Sequence, residues 1–256
     1  MKIFDTHAHL NTKEFQPDLD EVIKRAQLND VSEILVIGMD EEHNHRALKI
    51  AESYGNIYAT VGVHPGYVNE SSVNHIIPLL KHHKVVAIGE CGIDLYWSKD
   101  NLELQRKVFI EQIKLAVAYK LPLIIHTRNS FDEAYECILP YKGLVTGVFH
   151  CFSSHLMDAK KAIDLGFMIG VDGPITYKNA QEITEIVKNV DLSHLLVETD
   201  SPYLSPIPYR GKRNEPMHTK EVVKKIAEIK GLPIEEVARQ TTENAYRLFH
   251  LGGMSR

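Results

Sequence analysis

The sequence has few cysteines, and their number and spacing exclude a disulfide framework. Cys91, Cys137 and Cys151 form an odd set without CxxC spacing, which predicts reduced thiols in a reducing compartment. Cys91 and Cys151 each directly follow a candidate metal ligand. Because neighbouring side chains of a strand point to opposite faces, we expect both thiols to pack behind the site rather than to bind metal.

Long apolar segments and a leader pattern are also absent. No uncharged apolar run approaches the roughly 20 residues that span a membrane, and the first residues lack the basic and apolar regions of a signal peptide. We therefore expect a cytoplasmic protein with no membrane partner and no obligate protein partner. The formal net charge of −5 excludes a globally basic nucleic-acid coat, although a basic loop beside bound cations can still attract phosphate.

Eight short apolar runs alternate with segments of helical periodicity. The runs predict strands at 3–4, 34–37, 57–63, 85–88, 121–125, 144–149, 167–171 and 195–197. The periodic segments predict helices at 20–28, 42–54, 73–83, 102–119, 130–139, 156–165, 180–190, 218–230 and 234–249. Residues 201–216 contain four prolines without helical periodicity, which favours a long loop after the last strand.

This alternation predicts an α/β fold of the (β/α)8 TIM barrel type. The 256 residues give about 32 residues to each of eight units, and one domain of this length is usual for such a barrel. We therefore assign 1–256 to a single domain. A doubly wound open sheet is the alternative, but no glycine-rich phosphate loop follows the first strand, and an open sheet would not gather the ends of distant strands.

Six potential metal ligands stand at the ends of these apolar runs. His7 and His9 are two residues apart, so a strand would point both imidazoles the same way. The others follow the fourth, fifth, sixth and eighth runs, and they are Glu90, His126, His150 and Asp200. Only a closed barrel brings these strand ends to one centre.

Metal coordination explains this set better than six separate structural roles. A lone histidine or carboxylate at a strand end is usually a hydrogen-bonded or surface residue. A cluster of six would carry a large desolvation penalty, which metal ions would offset. Four imidazoles and two carboxylates suffice for two divalent ions, and Glu90 is the natural bridge. Nitrogen-rich coordination favours Zn²⁺, Mn²⁺, Co²⁺ or Ni²⁺ over Mg²⁺.

The motifs around these residues resemble those of the TatD family along essentially the whole chain. They are DTHAHL (5–10), GVHP (62–65), GECGID (89–94), HTR (126–128), HCFS (150–153), ETDSPYL (198–204), RGKRNEP (210–216) and NAYRLF (244–249). The resemblance implies an amidohydrolase-like, metal-dependent hydrolase, often described as a deoxyribonuclease and associated with Mg²⁺. It also implies that His7, His9 and Asp200 hold one metal ion and His126 and His150 the other, with Glu90 shared.

The expected chemistry is attack on an ester bond by hydroxide that the metal pair generates near neutral pH. Glu90 and Asp200 are the predicted catalytic residues, and Asp200 would accept the proton of the nucleophile. Arg128 faces the same side of its strand as His126 and would hold a phosphate. The remaining predicted substrate contacts are His64, Tyr203, Arg210, Lys212 and Arg213, although the loop cations are equally consistent with a solvated loop.

Three functions fit this site. The leading hypothesis is a 3′-to-5′ deoxyribonuclease acting on single-stranded DNA or 3′ ends, which needs few phosphate contacts. An ester hydrolase such as a D-aminoacyl-tRNA deacylase would use the same metals, and no motif separates the two. A catalytically silent barrel that binds metal or nucleic acid is disfavoured because all six ligand positions are filled.

Overall fold

A computed structural model describes residues 1–69, 72–97 and 100–252. Eight strands form one parallel sheet in chain order, and each strand pairs with its neighbours in sequence. The strands are β1 (Ile3–Ala8), β2 (Val31–Val36), β3 (Ile57–Val61), β4 (Val85–Asp94), β5 (Leu123–Arg128), β6 (Gly147–Phe149), β7 (Phe167–Val171) and β8 (Leu195–Val197). All eight predicted strands are therefore confirmed.

The α-helices connect the strands and follow the last of them. They are α1 (Leu19–Leu28), α2 (Glu41–Ser53), α3 (Leu102–Tyr119), α4 (Phe131–Ile138), α5 (Leu156–Asp164), α6 (Gln181–Asn189), α7 (Thr219–Lys230) and α8 (Ile234–Leu248). In α3, Val108, Phe109 and Ile113 are buried, so one face of the helix packs toward the sheet. Within the described residues, no helix is both long and apolar enough to cross a membrane.

The predicted helix at 73–83 is wrong. Two short 3-10 helices, Ser72–His75 and Ile77–Leu79, lie between β3 and β4 instead. Pro78 explains the difference, because it has no backbone N–H and its ring clashes with the preceding turn of an α-helix. Strand β4 also runs beyond the predicted end at residue 88, so Glu90 lies within the strand rather than after it.

The barrel closes between β1 and the segment that follows β8. Ala8 forms a parallel bridge with Ser201, and the His9 N–H donates to the Ser201 carbonyl at 2.7 Å. One residue earlier, the Asp200 N–H donates to the His7 carbonyl at 2.8 Å. This contact confirms the (β/α)8 barrel and places the ends of the first and last strands side by side.

Apolar side chains fill the barrel and cover its outer face. The inner cluster takes residues from seven strands and from α8: Phe4, Leu35, Ile37, Val86, Ala87, Ile124, Val148, Met168, Leu196, Ala245, Leu248 and Phe249. The ring centroids of Phe4 and Phe249 are 5.9 Å apart, so the end of α8 packs against the start of β1. Polar side chains lie instead at the carboxyl-terminal end of the barrel.

Buried amide side chains fasten the strand ends to the helices. Gln112 of α3 accepts from the Val63 N–H at 2.8 Å and donates to the Val63 carbonyl at 3.1 Å. Asn44 of α2 pairs in the same way with Gly62, and Gln105 of α3 with Asp94. Each amide satisfies one buried backbone donor and one acceptor, which would otherwise destabilise the loops at this end of the barrel.

We expect Gln112→Leu to lower the free energy of unfolding by about 3 kcal/mol, because it leaves the Val63 N–H and carbonyl buried without partners. Urea denaturation of the metal-free protein measures this change. Gln27→Leu is the matched control, because Gln27 is exposed near the end of α1 and should change the unfolding free energy by less than about 0.5 kcal/mol. Equal effects of the two substitutions would contradict the assignment.

Candidate metal centre

The barrel closure brings the two histidines of the first strand to the carboxylate after the last strand. The Nε2 atoms of His7 and His9 lie 3.2 Å apart, so both imidazoles point the same way, as the spacing predicted. Asp200 Oδ1 lies 3.5 Å from His7 Nε2 and 3.2 Å from His9 Nε2. His7 and His9 are buried, so this group of ligands is shielded from water.

Glu90 lies between this group and a second pair of histidines. Its Oε2 atom is 3.6 Å from the Nε2 atoms of both His7 and His9. Its Oε1 atom is 2.9 Å from His126 Nδ1 and 2.8 Å from His150 Nε2. The two oxygens of one carboxylate therefore face two different pairs of imidazoles.

The spacing within the first group suits coordination better than hydrogen bonding. Donor atoms about 2.1 Å from one ion in a tetrahedral arrangement lie about 3.4 Å from each other. The distances from the Nε2 atoms of His7 and His9 to each other and to the Glu90 and Asp200 carboxylates are 3.2 to 3.6 Å. Most are too long for strong hydrogen bonds. Buried nitrogen and oxygen lone pairs that converge in this way need a cation to offset their mutual repulsion, so the donor set fits divalent metal.

Asp94 orients His126. Its Oδ2 atom lies 3.0 Å from His126 Nε2, while Nδ1 of the same ring faces Glu90. A carboxylate that accepts the outer ring N–H fixes the tautomer of a metal-binding histidine and increases its basicity. Burial disfavours a charge on His126, but the hydrogen bonds to Asp94 and Glu90 outweigh it and raise the pKa of His126 to about 9. His126 would therefore have to lose a proton near neutral pH in order to serve as a metal ligand.

Gly92 allows β4 to approach His126 closely. Its φ angle is +131°, and a Cβ atom at this position would lie only 2.1 Å from the His126 carbonyl oxygen. Any side chain would force β4 and β5 apart and move His126 away from Glu90. Neither Gly92 nor the orienting role of Asp94 was identified from the sequence, although both stand in the same motif as Glu90.

Buried carboxyl groups behind the site were also missed. Asp5 accepts from the backbone N–H and the hydroxyl of Thr199 at 3.0 and 2.7 Å, and burial raises its pKa to about 7. Glu198 accepts from the Cys151 N–H at 2.5 Å, and burial raises its pKa well above the usual range. Asp5 precedes His7 by two residues and Glu198 precedes Asp200 by two, so the period of a strand could have revealed them.

The cysteines take no part in the described groups of potential metal ligands. Cys91 is buried, and its thiol donates to the Ile124 carbonyl at 3.4 Å. Cys151 lies beside His150 with a backbone N–H that donates to Glu198. No disulfide joins the three cysteines, as their number and spacing predicted.

Three of the predicted substrate contacts lie around the site. His64 Nε2 is 3.6 Å from Glu90 Oε1, and the His64 ring centroid is 4.6 Å from that of His126. The exposed Tyr203 ring lies 6.1 Å from the ring of His9. Arg128 ends β5, two residues beyond His126. These positions are consistent with contacts to a substrate, which stay predictions.

The loop cations are distributed differently. Arg210 is exposed and stacks on Tyr177, with 4.2 Å from Cζ to the ring centroid, and Lys212 is exposed. Arg213 instead donates to both oxygens of Asp18 at 2.8 and 2.7 Å and to Glu215 at 2.9 Å. A phosphate would have to compete with these two carboxylates. In this structure, Arg213 connects the loop to the start of α1.

Comparison with known proteins agrees with this architecture. The family described as TatD related DNase matches residues 4–250. The uncharacterized metal-dependent hydrolase YabD of Bacillus subtilis is 43% identical over 254 residues, which are 97% of this chain and 99% of that protein. The crystal structure of YjjV, a TatD homologue from Escherichia coli, has a TM-score of 0.91 at 32% identity and covers 98% of both chains.

A more distant structure shows the fold alone. An uncharacterized amidohydrolase from Saccharomyces cerevisiae has a TM-score of 0.82 at 19% identity and covers 97% of this chain and 99% of its own. The barrel, the ligand cluster and the relatives together define a metal-dependent hydrolase with an amidohydrolase-like fold. Within that class, the chain belongs to the TatD family, which confirms the resemblance of the motifs.

We expect Asp94→Asn to lower the affinity for a divalent metal ion by about 10- to 100-fold, because an amide cannot fix and polarise His126 as a carboxylate does. Competition of the purified protein against a chromophoric chelator measures the affinity. Asp132→Asn is the matched control, since Asp132 is exposed on α4. Metal binding by Asp94→Asn equal to that of the control would contradict the role of Asp94.

We expect the contribution of Asp18 to stability to disappear in acid. Its hydrogen bond with Arg213 lowers the pKa of Asp18 from 3.8 to about 2, so its stabilisation is complete above pH 3.8 and is lost as the pH falls toward 2. Because the Asp18 side chain is 33% exposed, solvent screening limits the effect to about 1 kcal/mol.

Thermal denaturation of the metal-free protein and of Asp18→Asn from pH 7 to pH 3 measures this effect. The difference in Tm should be constant above about pH 5 and shrink below pH 4. Asp164→Asn, at a more exposed ion pair with Lys142, should give a smaller difference throughout. A Tm difference between wild type and Asp18→Asn that stays constant down to pH 3 would refute the linkage.

Proposed function

We propose that this hydrolase cleaves phosphodiester bonds of DNA from the 3′ end, with single-stranded DNA as its preferred substrate. The observation that carries the proposal is the position of Glu90. Its two oxygens face two pairs of imidazoles, one from β1 and one from β5 and β6. A carboxylate shared in this way is the arrangement that two metal ions need for an in-line displacement at phosphorus.

Two groups of residues would hold the metal ions. His7, His9 and Asp200 form the first group, His126 and His150 form the second, and Glu90 belongs to both. When bound, the two ions lower the pKa of a water molecule and neutralise negative charge on the phosphate. The ligand set is rich in nitrogen, which supports Zn²⁺, Mn²⁺, Co²⁺ or Ni²⁺, while Mg²⁺ is the ion associated with family nucleases.

Asp200 is placed to move a proton. Its side chain is 14% exposed, whereas that of Glu90 is 3% exposed, so Asp200 reaches the open side of the centre. The Oδ1 atom faces His7 and His9, which leaves Oδ2 to accept a proton from an attacking water molecule. His64 lies on the opposite side of Glu90, where its Nε2 would contact an oxygen of the substrate.

The family description and the surroundings of the centre support DNA as the substrate. The matching family is described as TatD related DNase, and relatives such as YabD are metal-dependent hydrolases without a stated substrate. Around the centre, Arg128 and Tyr203 expose a cation and an aromatic ring. These groups suit the phosphate and the base of a single strand.

We expect Glu90→Ala to reduce DNA cleavage by more than about 100-fold, since removal of a supporting residue of a metal site alone costs 10- to 100-fold. Shortening of a 5′-labelled single strand, with each divalent metal in turn, measures the rate. Glu185→Ala is the matched control, because Glu185 is exposed on α6. Thermal denaturation confirms that both variants fold, and cleavage retained by a folded Glu90→Ala protein would refute the proposal.

The substrate is tested in the same preparations. Wild-type protein with a measured metal content is assayed on single-stranded DNA, double-stranded DNA and D-aminoacyl-tRNA. Shortening of the single strand from its 3′ end supports the proposal. A preference of several hundredfold for the aminoacyl ester would replace it with ester hydrolysis, because the same centre can direct water at a carbonyl carbon. No hydrolysis of any substrate by the metal-loaded protein would favour a binding role.

A further inference from the structure

Two exposed aromatic rings follow β4 at the edge of the metal centre. Tyr96 is 54% exposed and Trp97 is 77% exposed. Their ring centroids are 4.9 Å apart with the planes nearly perpendicular. Trp97 is the only tryptophan of the chain. Large aromatic rings that stay in water beside a functional site are typical of surfaces that bind another ring or an apolar group.

Arg128 packs on these rings, and no described residue is a hydrogen-bond acceptor for its guanidinium group. Its Cζ atom lies 3.8 Å from the Tyr96 ring centroid and 5.6 Å from that of Trp97. In the described ranges, no carboxylate forms an ion pair with Arg128, whereas Arg213 is paired with Asp18 and Glu215. Stacking orients the guanidinium plane and leaves its N–H groups at the edge, where a planar fork matches a phosphate.

Asp94 fixes this surface beside the centre. Its Oδ1 atom accepts from the backbone N–H groups of Tyr96 and Trp97 at 2.9 and 3.2 Å. Its other oxygen, Oδ2, lies 3.0 Å from His126 Nε2. The two oxygens of one buried carboxylate thus join the aromatic pair to a predicted metal ligand, so a group bound on the rings would lie next to the reacting phosphate.

We propose that Tyr96, Trp97 and Arg128 form a nucleotide subsite, in which a base stacks on Trp97 and its adjoining phosphate contacts Arg128. The inference rests on the proposed function and adds the residues that hold the strand. Stacking accepts every base because each has a π face. The subsite therefore binds without sequence preference, as a nuclease that removes successive nucleotides requires.

Binding is tested in chelator, where no cleavage takes place. The probes are an eight-residue oligothymidylate and an abasic strand with the same number of phosphates. In the wild-type protein, oligothymidylate should quench Trp97 fluorescence more strongly than the abasic strand does. Anisotropy of labelled strands then gives the affinity of variants that lack the tryptophan.

The two side chains should produce different changes in affinity. Trp97→Ala should weaken oligothymidylate binding about tenfold, the loss of one stacked base, and should leave abasic binding unchanged, whereas Trp97→Phe should retain most of the affinity. Arg128→Gln should weaken both strands and reduce the slope of log K against log salt by about 0.7, the value for one phosphate of a single strand.

The controls are Leu144→Ala and Arg239→Gln, which remove an exposed apolar side chain near the start of β6 and an exposed cation of α8. Each control should change the affinity and the salt dependence by only a fraction of the change that the subsite variants cause. The subsite is refuted if Trp97→Ala binds both strands as wild type does, or if Arg128→Gln keeps the wild-type salt slope.

Failure of the subsite is distinguishable from failure of the proposed function. Cleavage of DNA by the metal-loaded wild-type protein tests the function, and strand binding in chelator tests the subsite. Cleavage that persists while Trp97→Ala and Arg128→Gln bind normally would place the strand on another surface of the barrel.

Discussion

The closure of the barrel between β1 and the residues after β8 is the contact on which the site depends. The backbone hydrogen bond from Asp200 to His7, 2.8 Å long, joins residues that are 193 positions apart in the chain. It places the Asp200 carboxylate beside His7 of β1 and beside His9, which directly follows β1. Because ligand geometry must be held within about 0.5 Å, a shift of this closure would separate Asp200 from His7 and His9 and move the two histidines away from Glu90.

The same end of the barrel is stabilised by neutral amides on the outside and contains buried carboxyl groups of raised pKa behind the centre. Gln112 and Asn44 satisfy backbone groups of the β3 end without adding charge. Burial raises the pKa of Asp172 to about 8 and that of Asp5 to about 7, so both groups carry less negative charge at neutral pH than an exposed aspartate does. Glu90 and Asp200, whose pKa values are lowered by the neighbouring histidines, are therefore the carboxylates that would face bound cations.

Much of the fold and the ligand cluster could be predicted from the sequence, because both depend on local pattern. Apolar runs mark parallel strands, and a barrel gathers the residues that follow them. The supporting contacts could not be predicted, because they depend on register and distant pairing. Asp94 meets His126 because β4 extends to pair Asp94 with Arg128, and Arg213 meets Asp18 across 195 positions. The motif that contains Arg213 indicated a phosphate contact. In the folded chain, Arg213 instead forms ion pairs with the carboxylates of Asp18 and Glu215.

The register of β4 and β5 also relates metal binding to the surface that receives the substrate. Asp94 uses one oxygen for His126 and the other for the backbone of Tyr96 and Trp97. Displacement of the His126 proton by a metal ion would leave the ring oriented by the same carboxylate, and any movement of that carboxylate would also move the aromatic pair. One carboxylate therefore supports both a predicted metal ligand and the proposed nucleotide subsite.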